Sequence, residues 1–414
     1  MLDPAVRCVV GIDVAKRSHV VAALDAPTGA VRQKALKVEA TAAGYAGLCA
    51  QLARWGPPPE VLVGLEATGC LWEPLHDALT GAGYRVVVLN PRQTAAWAAG
   101  LGLRAKTDGL DAQTLARGLL AGYGRASVLP SETVQALREL TRARRDLVQS
   151  RTAARQRLLD ESVVVFPELP EHTPDRCDLA APAVLHLLGA YGSARALAAA
   201  PPAEVATLLA ERSGGRWGEP QAAALLALAA GSAASTRAVA ARGIVVRTFA
   251  GHLLDLQPRI AALEAAIAAV LADDADGRRL RQLPGIGPIH AATIRAELGD
   301  VARFAAVDEV VAYAGLAPRT RQSGMFVGQR KLSKRGPGAL RHTLYLAALV
   351  ATRYAPEWHA RYQRLLDRGR SKKEALTILS RALLKVIFHL LRTGARYDPA
   401  RLRPLPASSP AGGA

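Results

Sequence analysis

Two apolar runs near the start of the chain end in the same way. "VRCVVGIDVA" and "EVLVGLEATG" are each rich in β-branched residues and leucine, and each is terminated by a carboxylate, Asp13 and Glu66. Such runs read as strands buried in a sheet, and an acid that breaks into one is costly unless it is paired or bound to a cation. The surrounding segments fix the class of fold. "HVVAALD" and "AVRQKALKV" extend the first run into a three-stranded meander, and a helical "LWEPLHDALTGAG" separates the second run from "YRVVVLN". Three strands, helix, strand, helix, strand, helix over residues 6–128 predicts an α/β domain around a mixed sheet.

A third acidic site follows. "KTDGLDAQTLARGLLA" sets Asp108 and Asp111 three residues apart at a helix start, hence on one face. Each acid has an ordinary reading alone: a turn cap for Asp13, an ion pair for Glu66, a helix-capping pair for Asp108 and Asp111. Together they place acid at the ends of three core elements. Four carboxylates converging in one cleft would repel and require divalent cations, and two Mg²⁺ ions about 4 Å apart are the common arrangement for phosphodiester chemistry. Strand one, a later strand, then a helix is the layout of a ribonuclease H-like nuclease core.

Beyond Pro130 the pattern turns helical. "SETVQALRELTRARRDLVQSRTAARQRLLDE" predicts a long amphipathic helix capped by Ser131, its basic face holding Arg138, Arg142, Arg144 and Arg145. Residues 163–245 are alanine-rich, studded with prolines, and predicted helical with no function assigned. "LDLQPRIAALEAAIAAVLAD" resumes helical periodicity, so the two long helices are expected to pair as an antiparallel coiled coil, although neither has sustained heptads. "LPGIGPIHAATIRAEL" has the form of a helix-hairpin-helix or of a plain turn between structural helices. The expected division is 1–128 for the α/β domain, 129–276 for a helical coiled-coil spacer, 277–400 for a mainly α C-terminal domain and 401–414 for a disordered tail.

Charge narrows the partners. Fifty-three Lys and Arg against 35 Asp and Glu leave +18, which favours a polyanion. From Val310 to Pro356 there is no acid at all, while Arg319, Arg321, Arg330, Lys331, Lys334 and Arg335 crowd one stretch. That stretch is read as a DNA-handling surface, its glycines admitting a phosphate backbone closely. Ser323 in "QSGM" is the candidate nucleophile within it, Ser333 in "LSKRG" the second choice. Cys8, Cys49, Cys70 and Cys177 lie far apart, with no zinc spacing. With neither a signal peptide nor a membrane span in the sequence, the expected location is cytoplasmic (bacterial, nucleoid-associated).

"GIDVAK", "LEATG" and "KTDGLDAQTLA" resemble the DEDD, RuvC-like domain of a bacterial insertion-sequence transposase family. These are serine-dependent recombinases described as bridge-RNA-guided, and pilin-gene invertases are among their relatives. The Ser-Gly, Ser-Lys-x-Gly and Leu-Arg elements after residue 315, and "RSKKEALTILSRALLKVIFHLLRTGARYDP", resemble the same family's C-terminal transposase domain. One departure stands out: Gly336-Pro337 replaces the family's usual Gly-Asn. The resemblance implies that Asp13, Glu66, Asp108 and Asp111 hold Mg²⁺, that Ser323 attacks DNA, and that donor and target DNA duplexes are the substrates. It further implies a non-coding guide RNA and a tetramer built as a dimer of dimers; because the acids and the serine lie on different domains joined by long helices, a composite site shared between protomers is expected. Two rivals stay open: a RuvC-like junction nuclease with water as nucleophile, and an actin-like ATPase, which lacks its second phosphate loop here. "RHTLYL" also offers Tyr345, read as a helix core residue.

Overall fold

Period-two alternation builds the sheet of the N-terminal unit. The protein, seen here as a computed structural model, is described over residues 3–67, 69–100, 108–123, 129–319, 322–323, 326–327 and 331–402. It divides into two units, Met1–Leu129 and Pro130–Ala414. In the first, β1 (Cys8–Asp13), β2 (Ser18–Asp25), β3 (Val31–Glu39), β4 (Val61–Glu66) and β5 (Arg85–Leu89) form one sheet in the order β3-β2-β1-β4-β5. The meander is antiparallel, whereas β4 and β5 join parallel to β1, so the sheet is mixed as expected.

Alternate residues face opposite layers. Cys8, Val10, Ile12, Val63 and Leu65 pack with Leu48 and Leu52 of α1 (Ala42–Trp55) and with Leu75 and Leu79 of α2 (Glu73–Gly81). Each fully buried leucine there contributes about 1.5–3 kcal/mol of transfer free energy. Val9 and Leu62 face the other way, onto Leu115, Ala116 and Leu119 of α4 (Asp108–Leu120). Between β5 and α4 runs a helix the sequence pattern did not separate, α3 (Pro91–Gly100).

Glycines set how closely α4 lies. Gly11 and Gly64 are register partners on β1 and β4. A Cβ on Gly11 would stand 2.2 Å from the Ala112 carbonyl oxygen, and one on Gly64 would stand 2.2 Å from a Leu119 methyl. The bare backbone at these two positions lets the helix that begins with Asp108 rest directly on the sheet.

The second unit is organised by two long helices, α5 (Glu132–Val165) and a later one at Val239–Asp273. Ser131 caps α5 by accepting from the Val134 amide, as its position predicted. Between them lie α6 (Pro182–Tyr191), α7 (Ala194–Ala198), α8 (Pro202–Ser213) and α9 (Glu219–Ala230), so the later helix is α10. Prolines in the first turns of α6, α8 and α9 explain the proline spacing, since that position needs no amide donor. The long helices run antiparallel, tied by Arg144–Glu264 at 2.6 Å, Ser150–His252 at 3.1 Å and Arg242–Glu161 at 2.7 Å.

These helices are not a spacer of their own. Ala154, Leu158 and Val165 of α5 share a core with Val246, Ala250 and Leu253 of α10 and the four short helices. Leu137 of α5 and Ile267 and Leu271 of α10 instead join the core of the C-terminal helices. The division expected at 276/277 therefore falls inside one unit, because each long helix serves two cores. The C-terminal core comprises α11 (Ala275–Leu280), α12 (Pro288–Leu298), α13 (Val307–Tyr313), α14 (Gly338–Tyr354), α15 (Pro356–Asp367) and α16 (Lys372–Thr393). A capping box of Ser371 and Glu374 starts α16, and Gly394 ends it in the left-handed conformation. Among the described residues no helix is long and apolar enough to cross a membrane. The tail, past Leu402, lies outside them.

Candidate functional site

The strand register decides where the acids go. β1 and β4 are parallel, with Ile12 opposite Leu65, so the next residues, Asp13 and Glu66, close the same edge of the sheet. Carboxyl ends of parallel strands are where open α/β sheets gather their ligands. Period two turns both acids toward the layer of Val9, Leu62 and α4, not toward α1 and α2. The backbone after Asp13 is tied down by His19, which is 1% exposed. Its Nδ1 accepts from the Ala15 amide at 3.3 Å, so Nε2 carries the hydrogen and donates to Tyr45 Oη at 3.2 Å. Burial holds the pKa of His19 below the ordinary histidine value.

Asp13, Glu66 and Asp111 line one pocket of about 310 Å³. Its opposite wall comes from α3 and the end of α4: Gln93, Thr94, Trp97, Gly118 and Tyr123. Thr94 Oγ1 donates to Glu66 Oε2 at 2.9 Å and so fixes that carboxylate. Trp97 and Tyr123 stack with ring centroids 4.5 Å apart. Among the described residues, two buried polar atoms on this wall have no hydrogen-bond partner, the Gln93 amide oxygen Oε1 and the Trp97 indole nitrogen Nε1.

The donor set suits a hard divalent cation: three carboxylates from three elements, with Asp108 opening the helix that carries the third. Among the described residues no three acidic, histidine or cysteine side chains stand close enough to clasp an ion as a group. The Asp108 side chain is outside the described set.

In the second unit, the acid-free stretch holds two short antiparallel strand pairs. β6 (Pro318–Arg319) pairs with β9 (Lys331–Leu332), and β7 (Gln322–Ser323) with β8 (Phe326–Val327). Ser323 is opposite Phe326. Arg321 and Arg330, and the side chains of Arg319, Ser323 and Lys331, lie outside the described set. Ser333 is half-buried, donating its amide to Ala317 O and accepting from the Arg335 amide at its hydroxyl. The Gly336-Pro337 departure has a clear backbone: Lys334 adopts φ 51 and Gly336 φ 114, with the missing Gly336 Cβ filled by the Tyr313 carbonyl, and Pro337 caps α14. Lys334 and Arg335 are exposed. Tyr345 on α14 is half-buried and is not in the core, while Arg341 is taken up by the Ala314 and Gly336 carbonyls.

The basic helix is less free than its sequence suggests. Arg138 donates to the Ala296 carbonyl, Arg142 pairs with Glu297 and Arg144 with Glu264. Among the described residues Arg145 pairs only with the neighbouring Asp146, at 3.4 Å. Of the four acids singled out from the sequence, the pocket brings Asp13, Glu66 and Asp111 together; Gln93, Thr94, Trp97 and Tyr123 beside them were not singled out. The one available signal was polar and aromatic residues in "NPRQTAAW", just after a strand that ends beside Glu66.

Comparison with known proteins follows the same two ends of the chain. Residues 10–166 match the DEDD profile of the IS110 type, described as transposase, and residues 277–363 match the family described as transposase IS116/IS110/IS902. A mini-circle protein of Streptomyces coelicolor, named as a transposase for IS117, is 31% identical over 94% of this chain and 95% of its own. The IS900 42 kDa protein of Mycobacterium paratuberculosis is 29% identical over 78% and 80%. The pilin gene-inverting protein of Moraxella bovis is 30% identical over 29% and 38%.

Proposed function

The chain belongs to the IS116/IS110/IS902 family of transposases, and from that premise we propose that it cuts and rejoins DNA with an acidic metal site in its first unit and a serine in its second. The observation that carries the reading is the parallel register that closes one sheet edge with Asp13 and Glu66 and opens the pocket to Asp111. The first unit is read as ribonuclease H-like, with Asp13, Glu66, Asp108 and Asp111 as ligands for Mg²⁺, two ions in number. A bound divalent cation would neutralise charge on the phosphate and on the departing oxygen.

Ser323 is the proposed nucleophile. Its hydroxyl oxygen bonds to phosphorus as the P–O3′ bond breaks. The serine proton passes to solvent, the departing oxygen ends as a 3′-hydroxyl, and the 5′ end stays on the protein as a phosphodiester, which conserves bond energy for rejoining. Arg319, Arg321, Arg330, Lys331, Lys334 and Arg335 would neutralise the phosphates nearby, with exposed Arg145 of α5 adding a further cation. Donor and target duplexes are the proposed substrates, a non-coding guide RNA and a tetrameric assembly the proposed partners. The test is cleavage of a DNA carrying the element's own ends. Purified protein should cut it with Mg²⁺ and lose cutting with chelator or with Glu66→Gln. Cutting that persists in Glu66→Gln overturns the metal reading.

A further inference from the structure

The acid-lined pocket holds more than the acids need. A buried acceptor and a buried donor, Gln93 Oε1 and Trp97 Nε1, are left without partners in it. Native proteins rarely leave such atoms orphaned, because each forfeits a hydrogen bond it had in water. They sit four residues apart on α3, so they share one face of that helix. Thr94, between them, is already occupied by Glu66. A hard cation would take the Gln93 oxygen as a ligand but leaves the Trp97 indole N–H unexplained, since that group is a donor only.

We propose that Gln93 and Trp97 read the edge of an unpaired nucleobase next to the phosphate that a divalent cation at Asp13, Glu66 and Asp111 would bind. A base edge presents a donor beside an acceptor, the complement of this pair, whereas a phosphate offers the amide oxygen nothing. The base is taken as unpaired because a pocket of about 310 Å³ admits one nucleotide and not a duplex, so the base would have to leave the stack to enter it. The stacked Trp97 and Tyr123 rings supply the apolar side of the pocket. A volume of about 310 Å³ falls at the small end of ligand pockets, roughly 300–1,000 Å³, and suits one nucleotide rather than a duplex. The proposal rests on the reading of these acids as the phosphate site, and it makes α3 a source of sequence preference at the cut.

The test pairs two protein variants with two DNAs. Gln93→Leu removes the acceptor, and Trp97→Phe removes the donor while keeping an aromatic ring. Each is assayed for kcat/KM and for Kd on a substrate intact at the nucleotide beside the cut and on one abasic there. On intact DNA each variant should lose roughly ten- to a hundredfold in kcat/KM, the usual cost of an unmade buried hydrogen bond. On abasic DNA the variants should match wild type, because the base they read is gone. Equal losses on both DNAs, with Asp111→Asn inactive, overturn base reading and leave the acidic site standing. Full cleavage by Asp111→Asn overturns the phosphate site itself.

Discussion

At the scale of single residues, the acids and His19 make separate predictions. Asp111→Asn should abolish DNA cleavage. It should leave the thermal midpoint of metal-free protein unchanged or raised, because it removes one charge from a pocket that Asp13 and Glu66 also line. A clear fall in that midpoint would mean Asp111 is a structural acid. His19 speaks through pH. Its pKa is depressed by burial, so the neutral ring is the one the fold prefers. The sign then follows: the stabilisation is full above the ordinary histidine value of about 6.5 and is lost as pH falls through the lower folded value. Between about pH 7.5 and pH 5 wild type should lose stability more steeply than His19→Gln, whose amide oxygen can still accept from Ala15. Parallel denaturation midpoints across that range would remove His19 from the account. The acids were legible in the sequence because a carboxylate ending an apolar strand violates a strong rule. Gln93 and Trp97 broke no rule, since an amide and an indole on a short helix are ordinary until burial strips them of partners.

At the scale of elements, the alternation of strands and helices in the first unit was readable because period two and period 3.6 are local properties. What escaped was the distance between layers. That distance depends on Gly11 and Gly64 standing opposite each other under α4, a fact of pairing rather than of pattern. Gly11→Ala would drive a methyl into the Ala112 carbonyl and the Ala116 amide, both backbone atoms of α4. It should cost about 1–3 kcal/mol as overpacking and should also cut cleavage, by lifting Asp111 off the sheet edge. Gly47→Ala, at an exposed position of α1 where nothing lies within 4 Å, is the control and should hold or gain stability. Equal effects from the two would show that helix placement does not govern the site. The long helices carry the same lesson. Their periodicity was legible, but their division between two cores was set by partners more than a hundred residues away, such as Glu264 for Arg144. Arg144→Ala should therefore loosen the α5–α10 pair, by no more than about 1 kcal/mol. Arg145→Ala should instead weaken DNA binding and flatten its salt dependence, and an unchanged slope of log affinity against log salt would remove it from the interface.

At the scale of the whole molecule, a net charge of +18 favours a polyanionic partner, and the two matched ends are those of a transposase. The deciding question is which atom attacks phosphorus. Water and serine predict different products: two free ends in the first case, one end covalently on protein in the second. A neutral hydroxyl is a poor nucleophile at ordinary pH, so a serine in this role needs charge stabilisation at the phosphate. The paired strands around Ser323 lie in a stretch without a single acid from Val310 to Pro356. Ser333 has the same surroundings, but its hydroxyl already accepts from the Arg335 amide and its own amide holds Ala317 O, which suits a turn-forming residue. Trapping the reaction on nicked DNA should yield protein attached to the 5′ end through the peptide containing Ser323. Ser333→Ala should keep the adduct, and Ser323→Ala should lose it while still binding DNA. An adduct that persists in Ser323→Ala and vanishes in Ser333→Ala moves the nucleophile to Ser333. Cleavage with no adduct in any variant gives the step to water, and the second unit then holds DNA without reacting with it.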